Sequence, residues 1–190
     1  MKTRASNFIR YSLTLANDEK LYLKTAVIVV GMQLCLFEKI LVPLDGSEHS
    51  TKALEAAIQT AKKFGGKLTL FHAYSITVTP IVVPEPTTLT PSGVPVVTPA
   101  EVSQMIEAAR DVGQRILNEA EQKAKSEDVQ VESMLREGNT VQEIIRLAKE
   151  GNFDLIVIGV KGVSKLREFL LGSVSEGVVK HASCPVLVVK

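Results

Sequence analysis

Short apolar runs of strand length alternate with helix-length segments along most of this chain. The first run, residues 39–44 (KILVPL), is followed by turn and cap residues at Asp45-Gly46-Ser47. Consecutive strands that are separated by a helix-length crossover cannot form hairpins, so they pair in parallel. The alternation therefore predicts an open parallel sheet with helices on both faces.

Apolar spacing predicts four helices between these strands. The first helix is expected to stop at Gly65-Gly66, and the second to begin at the capping pattern of residues 98–101 (TPAE). The other two helices are expected at 141–148 and 173–182. The remaining strands are expected at 67–73, 129–135, 154–158 and 185–190.

Composition limits the classes of partner. The 190 residues are 45% apolar and 23% charged, which fits one globular domain. A formal net charge of +1, with no basic block, disfavours a nucleic-acid or membrane partner. The two cysteines, Cys35 and Cys184, have neither metal-site spacing nor the density of a disulfide scaffold. We therefore expect the protein to reside in the reducing cytoplasm and to have no metal site.

Two segments stand apart from the alternating pattern. Residues 1–36 form an N-terminal extension, whose apolar stretch at 25–37 is too short to cross a bilayer. Either Met32 is the natural start or the extension is an accessory arm. Residues 75–99 hold six of the eight prolines and predict an insertion loop, because proline fits neither a helix interior nor a central strand.

A spaced set of glycines follows the apolar run at 154–158. Gly159 and Gly162 are followed by nine residues and then by Gly172-Ser173. Glycine lets backbone amides approach a phosphate closely, and a Gly-Ser step at a helix start adds free N–H groups, a hydroxyl and the positive end of the helix dipole. A random chain of this length matches the spacing with a probability of about 1%. The pattern therefore predicts a phosphate-binding loop.

The expected topology places Asp45 near this loop. If the strand order is 3-2-1-4-5, strands one and four are neighbours, and the topological switch point lies between them. Ligands of such sheets bind at the carboxyl ends of the strands at this point. Asp45 and the loop that begins at Gly159 both follow strand ends, so they are expected to face one crevice.

Three segments together resemble the universal stress protein family: residues 39–47 (KILVPLDGS), the glycine spacing, and the ending at 183–189 (SCPVLVV). The similarity covers residues 37–190. It implies an adenine-nucleotide-hydrolase-like, Rossmann-like fold with strand order 3-2-1-4-5. Because every glycine of the motif is present, it also implies the ATP-binding subgroup. Val160-Lys161 is a departure, since many relatives carry Ser and then His or Arg there.

The resemblance also implies which residues meet the nucleotide. Asp45 is expected to contact the ribose or the adenine, and the strand-end residues around it to flank the base. ATP is the expected ligand, with ADP and AMP as alternatives and Mg²⁺ as an optional companion ion. The expected binding residues are Val42, Pro43, Asp45, Ala73 and Ile158 around the nucleoside, and Gly159, Gly162, Gly172, Ser173, Val174 and Ser175 around the phosphates.

Each of these residues also has an explanation without a ligand. Residues 173–176 (SVSE) match a capping box, which by itself accounts for Ser173. Asp45 could serve as the cap of the first helix. Gly159 and Gly162 could form a tight turn with no ligand.

No nucleophile with a positioned base is recognisable, and a G-x-x-x-x-G-K-[ST] loop is absent from the sequence. The sequence therefore favours a nucleotide-dependent stress-response or regulatory binding protein that acts on an unidentified protein partner. The alternative is a slow ATP-hydrolysing enzyme of the adenine nucleotide alpha hydrolase group. A receiver-like domain with Asp45 as phosphoacceptor is a third class, disfavoured by its missing acidic pair. The resemblance further implies a homodimer formed through residues 186–190.

Overall fold

The computed structural model describes residues 37–75, 99–162 and 171–190. The expectations for residues 1–36, and for most of the loop at 75–99, lie outside these ranges. In chain order the elements are β1 (Lys39–Pro43), α1 (Glu48–Phe64), β2 (Lys67–Tyr74), α2 (Pro99–Ser126), β3 (Val131–Glu137), α3 (Thr140–Glu150), β4 (Leu155–Gly159), α4 (Ser173–His181) and β5 (Val186–Val189).

The five strands form one parallel sheet in the order β3-β2-β1-β4-β5, which confirms the predicted topology. In the centre of the sheet Ile40 of β1 aligns with Leu68 of β2 on one side and with Leu155 of β4 on the other. From β1 to β3 each new strand is added on one side of the sheet, and from β4 onward on the other side. The topological switch point therefore lies between β1 and β4. The carboxyl ends of these two strands define the crevice in which a ligand is expected.

Helices cover both faces, and β1 shows how one strand serves two cores. Ile40 and Val42 are fully buried in a cluster that includes α1 and α2, whereas Leu41 is fully buried in a cluster that includes α3 and α4. Successive side chains of a strand point to opposite faces, so a run of apolar residues is needed when both faces are covered. The continuous run in β1 is explained by this double burial.

The start of β3 differs from the prediction. The strand begins at Val131 rather than at Val129. Val129 is 7% exposed and its N–H donates a hydrogen bond to the carbonyl oxygen of Ala124 at 3.2 Å, so it closes the end of α2. Asp128, with a φ of 57°, makes the turn between helix and strand. The predicted strand start is thus two residues too early, because an apolar residue can close a helix as well as begin a strand.

Two of the helices that begin at the carboxyl edge of the sheet are capped by side chains. The Ser47 Oγ accepts a hydrogen bond from the Ser50 N–H at 3.2 Å, as expected for the start of α1. The Asn139 Oδ1 accepts one from the Gln142 N–H at 3.2 Å at the start of α3. Each side chain satisfies one of the N–H groups that a helix start leaves without an intrahelical partner.

Candidate functional site

A cavity of about 310 Å³ opens at the carboxyl ends of β1 and β4. It brings together elements that are more than a hundred residues apart in the sequence. Ten of the predicted site residues line it, namely Pro43, Asp45, Ala73, Ile158, Gly159, Gly162, Gly172, Ser173, Val174 and Ser175.

Val42 is the predicted site residue that does not line the cavity. Its side chain is fully buried in the cluster beneath α1 and α2. The neighbouring residue, Pro43, presents the end of β1 to the cavity instead. Val42 thus supports the site through the core.

Several lining residues were not among those predicted. His72 is held in place, because its Nδ1–H donates to the carbonyl oxygen of Leu44 at 2.7 Å. Thr140 lies at the start of α3, where the carboxyl end of β3 reaches the same edge of the sheet. That position could have been found by extending the strand-end argument to β3. The additional lining residues are Leu44, Ser50, Phe71, His72, Thr140 and Lys161.

Asp45 does not cap α1, so that alternative explanation is wrong. The cap is Ser47, and the Asp45 Oδ1 accepts a hydrogen bond from the Ser47 N–H at 3.0 Å. This short-range bond fixes the carboxylate two residues before the cap. Gly162 lies against the other oxygen, because a Cβ at Gly162 would collide with the Asp45 Oδ2. Asp45 and the glycine loop are thus in direct proximity, as the topology predicted.

Gly159 permits a close approach between β4 and the start of α1. A Cβ at Gly159 would lie 2.7 Å from the backbone carbon of His49 and 2.9 Å from the backbone nitrogen of Ser50. Neither Gly159 nor Gly162 has a positive φ, so a left-handed backbone conformation is not what requires glycine at these positions. Gly159 is required by packing within the chain, irrespective of any ligand.

Gly172, at the end of the glycine loop, is hydrogen-bonded to Val160 at its beginning. Its N–H donates to the carbonyl oxygen of Val160 at 2.9 Å, and a Cβ there would lie 3.3 Å from the backbone of Val160 and Lys161. The chain therefore returns to the end of β4 before α4 begins. Residues 160–162 and 171–172 form the described parts of this phosphate-loop candidate, and residues 163–170 lie outside the described ranges.

Among the described residues, no side chain caps the start of α4. The capping-box explanation of Ser173 is wrong: the residue that precedes the helix is Gly172, and it makes no side-chain cap hydrogen bond. Within the described ranges, the N–H groups of Ser173, Val174 and Ser175 have no hydrogen-bond acceptor. N–H groups without an acceptor among the described residues, together with the positive end of the helix dipole, therefore border the cavity, which is the arrangement that binds anions.

The Ser175 hydroxyl is engaged by the protein. Its Oγ–H is directed at two carbonyl oxygens, those of Val160 and Gly172, each at 2.9 Å. The residue is only 2% exposed. Its backbone N–H, rather than its hydroxyl, is thus the group that Ser175 has to offer a ligand.

Two charged residues of opposite sign line the cavity, Asp45 and Lys161. The Lys161 backbone is fixed to α1, since its carbonyl oxygen accepts a hydrogen bond from the Ser47 Oγ at 3.4 Å. Among the described residues, no group of three or more His, Cys, Asp or Glu side chains could hold a metal ion. None of the described helices is long and apolar enough to cross a membrane.

The model of the universal stress protein family matches residues 36–190. Universal stress protein YxiE of Bacillus subtilis is 36% identical over 155 residues, which cover 82% of this chain and all of that protein. A universal stress protein of Methanocaldococcus jannaschii is 35% identical over 173 residues, covering 90% of this chain and 91% of the relative.

Solved structures have the same fold. The universal stress protein UspA of Lactobacillus plantarum superposes with a TM-score of 0.67 at 23% identity, covering 81% of this chain and 98% of that one. A universal stress protein solved in complex with cAMP superposes with a TM-score of 0.59 at 27% identity, covering 82% and 98%. A family protein of Arabidopsis thaliana with AMP bound gives a TM-score of 0.54 at 20% identity, covering 80% and 90%.

Proposed function

The chain belongs to the universal stress protein family, and we propose that it binds an adenine nucleotide in the cavity between β1 and β4. Its role would be that of a nucleotide-dependent regulatory binding protein of the stress response. The observation that carries this proposal is the start of α4, where Gly172 provides no side-chain cap, at the same cavity as Asp45.

The phosphate end of the ligand belongs at α4. Three N–H groups at residues 173–175 lack acceptors among the described residues, and a phosphate would supply oxygen atoms to them. Lys161, on the same wall, adds a positive charge. Gly172 brings no side chain between the amides and the ligand.

The nucleoside end belongs at Asp45 and the strand ends around it. The Asp45 Oδ1 is occupied by the Ser47 N–H, which leaves the Oδ2 to accept from a ribose hydroxyl or an adenine amino group. Pro43, Ala73 and Ile158 give apolar surface to the base. A family member of the same fold is solved with cAMP, which supports an adenine ligand here.

We propose ATP as the ligand, because the glycine spacing resembles that of the ATP-binding subgroup. Magnesium is usually bound in nucleotide sites by one or two carboxylates together with phosphate oxygens. Among the described lining residues Asp45 is the carboxylate that could take this part. ADP and AMP are the competing ligands to measure.

The test is calorimetric titration of the full chain with ATP, ADP, AMP, cAMP and GTP. We expect binding of the adenine nucleotides and at least tenfold weaker binding of GTP. Asp45→Asn should weaken binding about tenfold through loss of a charge-assisted hydrogen bond, while its amide oxygen can still accept from the Ser47 N–H. Asp111→Asn, at an exposed position on α2, is the matched control. Absence of heat with every adenine nucleotide would discard the site.

The same samples separate binding from hydrolysis. Retention of intact ATP over an hour supports a binding protein. Release of phosphate faster than about one turnover per minute, still far below typical enzyme rates, would support the hydrolase alternative instead.

We propose a homodimer through the β5 edge. β5 pairs with β4 on one side, and Leu187 is 41% exposed. An apolar strand at a sheet edge needs cover. Light scattering should give a dimer mass at micromolar concentration, and Leu187→Lys should shift it toward the monomer. Val112→Lys, at a similarly exposed site on α2, should leave the mass unchanged. A monomeric wild-type protein would contradict this interface.

A further inference from the structure

We infer that Ser175 is a positioning residue, whose hydroxyl holds the two ends of the glycine loop together and so fixes the amides that face the phosphate. The inference rests on the proposed nucleotide site. It assigns Ser175 a role different from direct contact with the ligand.

The hydroxyl bridges two segments that are separated along the chain. The Ser175 Oγ lies 2.9 Å from the carbonyl oxygen of Gly172, three residues earlier, and 2.9 Å from that of Val160, fifteen residues earlier. A serine hydroxyl has one proton, so the two carbonyls share it in a three-centre bond or by alternation. Because both acceptors are protein groups, the proton is not available to a phosphate.

Val160 connects this bridge to the sheet. Its N–H donates to the carbonyl oxygen of Val189 in β5 at 2.7 Å. Its carbonyl oxygen accepts from both the Gly172 N–H and the Ser175 hydroxyl. The residue before α4 is thereby held against the end of β4, so the orientation of the first turn of α4 depends on these bonds.

Ser50 is an internal reference for Ser175. Each is the third residue of its helix, each is nearly buried, and each donates its hydroxyl to the carbonyl oxygen three residues earlier, Ser50 to Ser47 at 2.8 Å. Both also line the cavity. The difference is the second acceptor, Val160, which lies on the far side of the loop. A change in amide exchange that Ser175→Ala shows and Ser50→Ala does not is therefore attributable to the bridge.

The experiment measures binding of AMP and of adenosine to the full chain, in wild type, Ser175→Ala and Thr60→Ala. Thr60 lies on α1 away from the cavity, and its hydroxyl donates to the Ala56 carbonyl oxygen at 2.7 Å. Loss of one hydrogen bond should weaken AMP binding about five- to tenfold in Ser175→Ala. Adenosine, which has no phosphate, should bind as in wild type. Thr60→Ala should leave the ratio of AMP to adenosine affinity unchanged.

Amide hydrogen exchange in the ligand-free protein separates positioning from contact. The Gly172 N–H should exchange about five- to tenfold faster in Ser175→Ala and at the wild-type rate in Ser50→Ala, because its acceptor, the Val160 carbonyl, loses the bridge. Ser175→Cys keeps the shape of the side chain but has only a weak donor. It should show the same pattern at smaller amplitude, and it takes the place of Ser175→Ala if that variant does not fold.

Each combination of binding and exchange results supports or overturns the positioning role of Ser175. A selective loss of AMP binding together with faster Gly172 exchange supports the bridge. Selective loss of AMP binding with unchanged exchange would mean that Ser175 touches the phosphate itself and would overturn the inference. Equal losses of AMP and adenosine, or no loss, would also overturn it while leaving the proposed nucleotide site intact. A wild-type protein that binds neither ligand would remove the proposed function and the inference with it.

Discussion

Helices α1 and α4 both begin at the carboxyl edge of the sheet, yet their first turns are satisfied in different ways. At α1 the Ser47 side chain accepts from a backbone N–H, whereas Gly172 at α4 has no side chain to do so. Both helices carry a glutamate in the first turn and a lysine four residues later, and both have a buried serine at the third position. The contrast teaches that withholding the side-chain cap leaves backbone N–H groups of a helix start available to a ligand, without new charges being added.

The largest expected effect concerns the α1 side of this contrast. Gly159→Val would place a side chain within 2.7–2.9 Å of the backbone of His49 and Ser50, in a junction that cannot relax cheaply. We expect the free energy of unfolding to fall by about 3 kcal/mol, as measured by urea denaturation. Gly172→Ala, whose new methyl group would meet backbone at 3.3 Å, should cost clearly less. Equal stability of Gly159→Val and wild type would refute the close contact.

A serine at position 172 should convert α4 into a helix start of the α1 kind. Gly172 has φ −67° and ψ 153°, an extended conformation that suits a capping serine. In Gly172→Ser the new hydroxyl would accept from the first-turn N–H groups and compete with the phosphate, so AMP affinity should fall by tenfold or more. Calorimetry measures this loss. Gly172→Ala adds the same Cβ without the oxygen and should lose less, and equal losses in the two variants would argue against competition for the amides.

A smaller effect distinguishes the two serines at the helix starts. Ser47→Ala removes a cap and should lower the free energy of unfolding by about 1 kcal/mol. Ser173→Ala removes an exposed hydroxyl that caps nothing and should change it by less than about 0.5 kcal/mol. Chemical denaturation of both variants measures the difference. A larger loss of unfolding free energy from Ser173→Ala than from Ser47→Ala would show that Ser173 does cap α4.

The smallest expected effect is shared by the two helices. Hydrogen bonds from Lys52 and Lys180 hold the pKa of Glu48 and of Glu176 below the ordinary value of 4.5. A lowered pKa in the folded state means that each pair stabilises above the unfolded-state pKa, and that this contribution disappears as the pH falls through the folded-state value.

Glu48→Gln and Glu176→Gln should accordingly lower the melting temperature slightly and equally at pH 7. At pH 3 the gap between each variant and wild type should narrow. Thermal unfolding at the two pH values checks this. A clearly larger effect at Glu176 would show that the two helix starts also differ in their charges.

The sheet was predictable from the sequence because its signal is local. Alternating strand-length and helix-length segments leave few ways to arrange five parallel strands, and the order β3-β2-β1-β4-β5 is confirmed. The error at Val129 has a local cause as well, since an apolar residue that closes a helix resembles the first residue of a strand. Periodicity does not distinguish the two uses.

The site was predictable to the extent that it depends on strand ends. Asp45 and the glycine loop were expected to converge, and they do. The roles of single residues were less accessible, because a shift of one position decides whether Ser173 or Gly172 precedes α4. The contact of Gly159 with α1 depends on tertiary packing, so a pattern of glycines alone could not separate it from a contribution to phosphate binding.

The backbone of Val160 has a consequence for how such sequences diverge. It joins the glycine loop to β5 through its N–H and its carbonyl oxygen, and neither bond uses the side chain. Selection on this junction would act on backbone geometry and leave the identity of residue 160 open to drift. A valine at position 160 is therefore compatible with an intact junction, whereas a proline there, which lacks the N–H, would break the bond to β5.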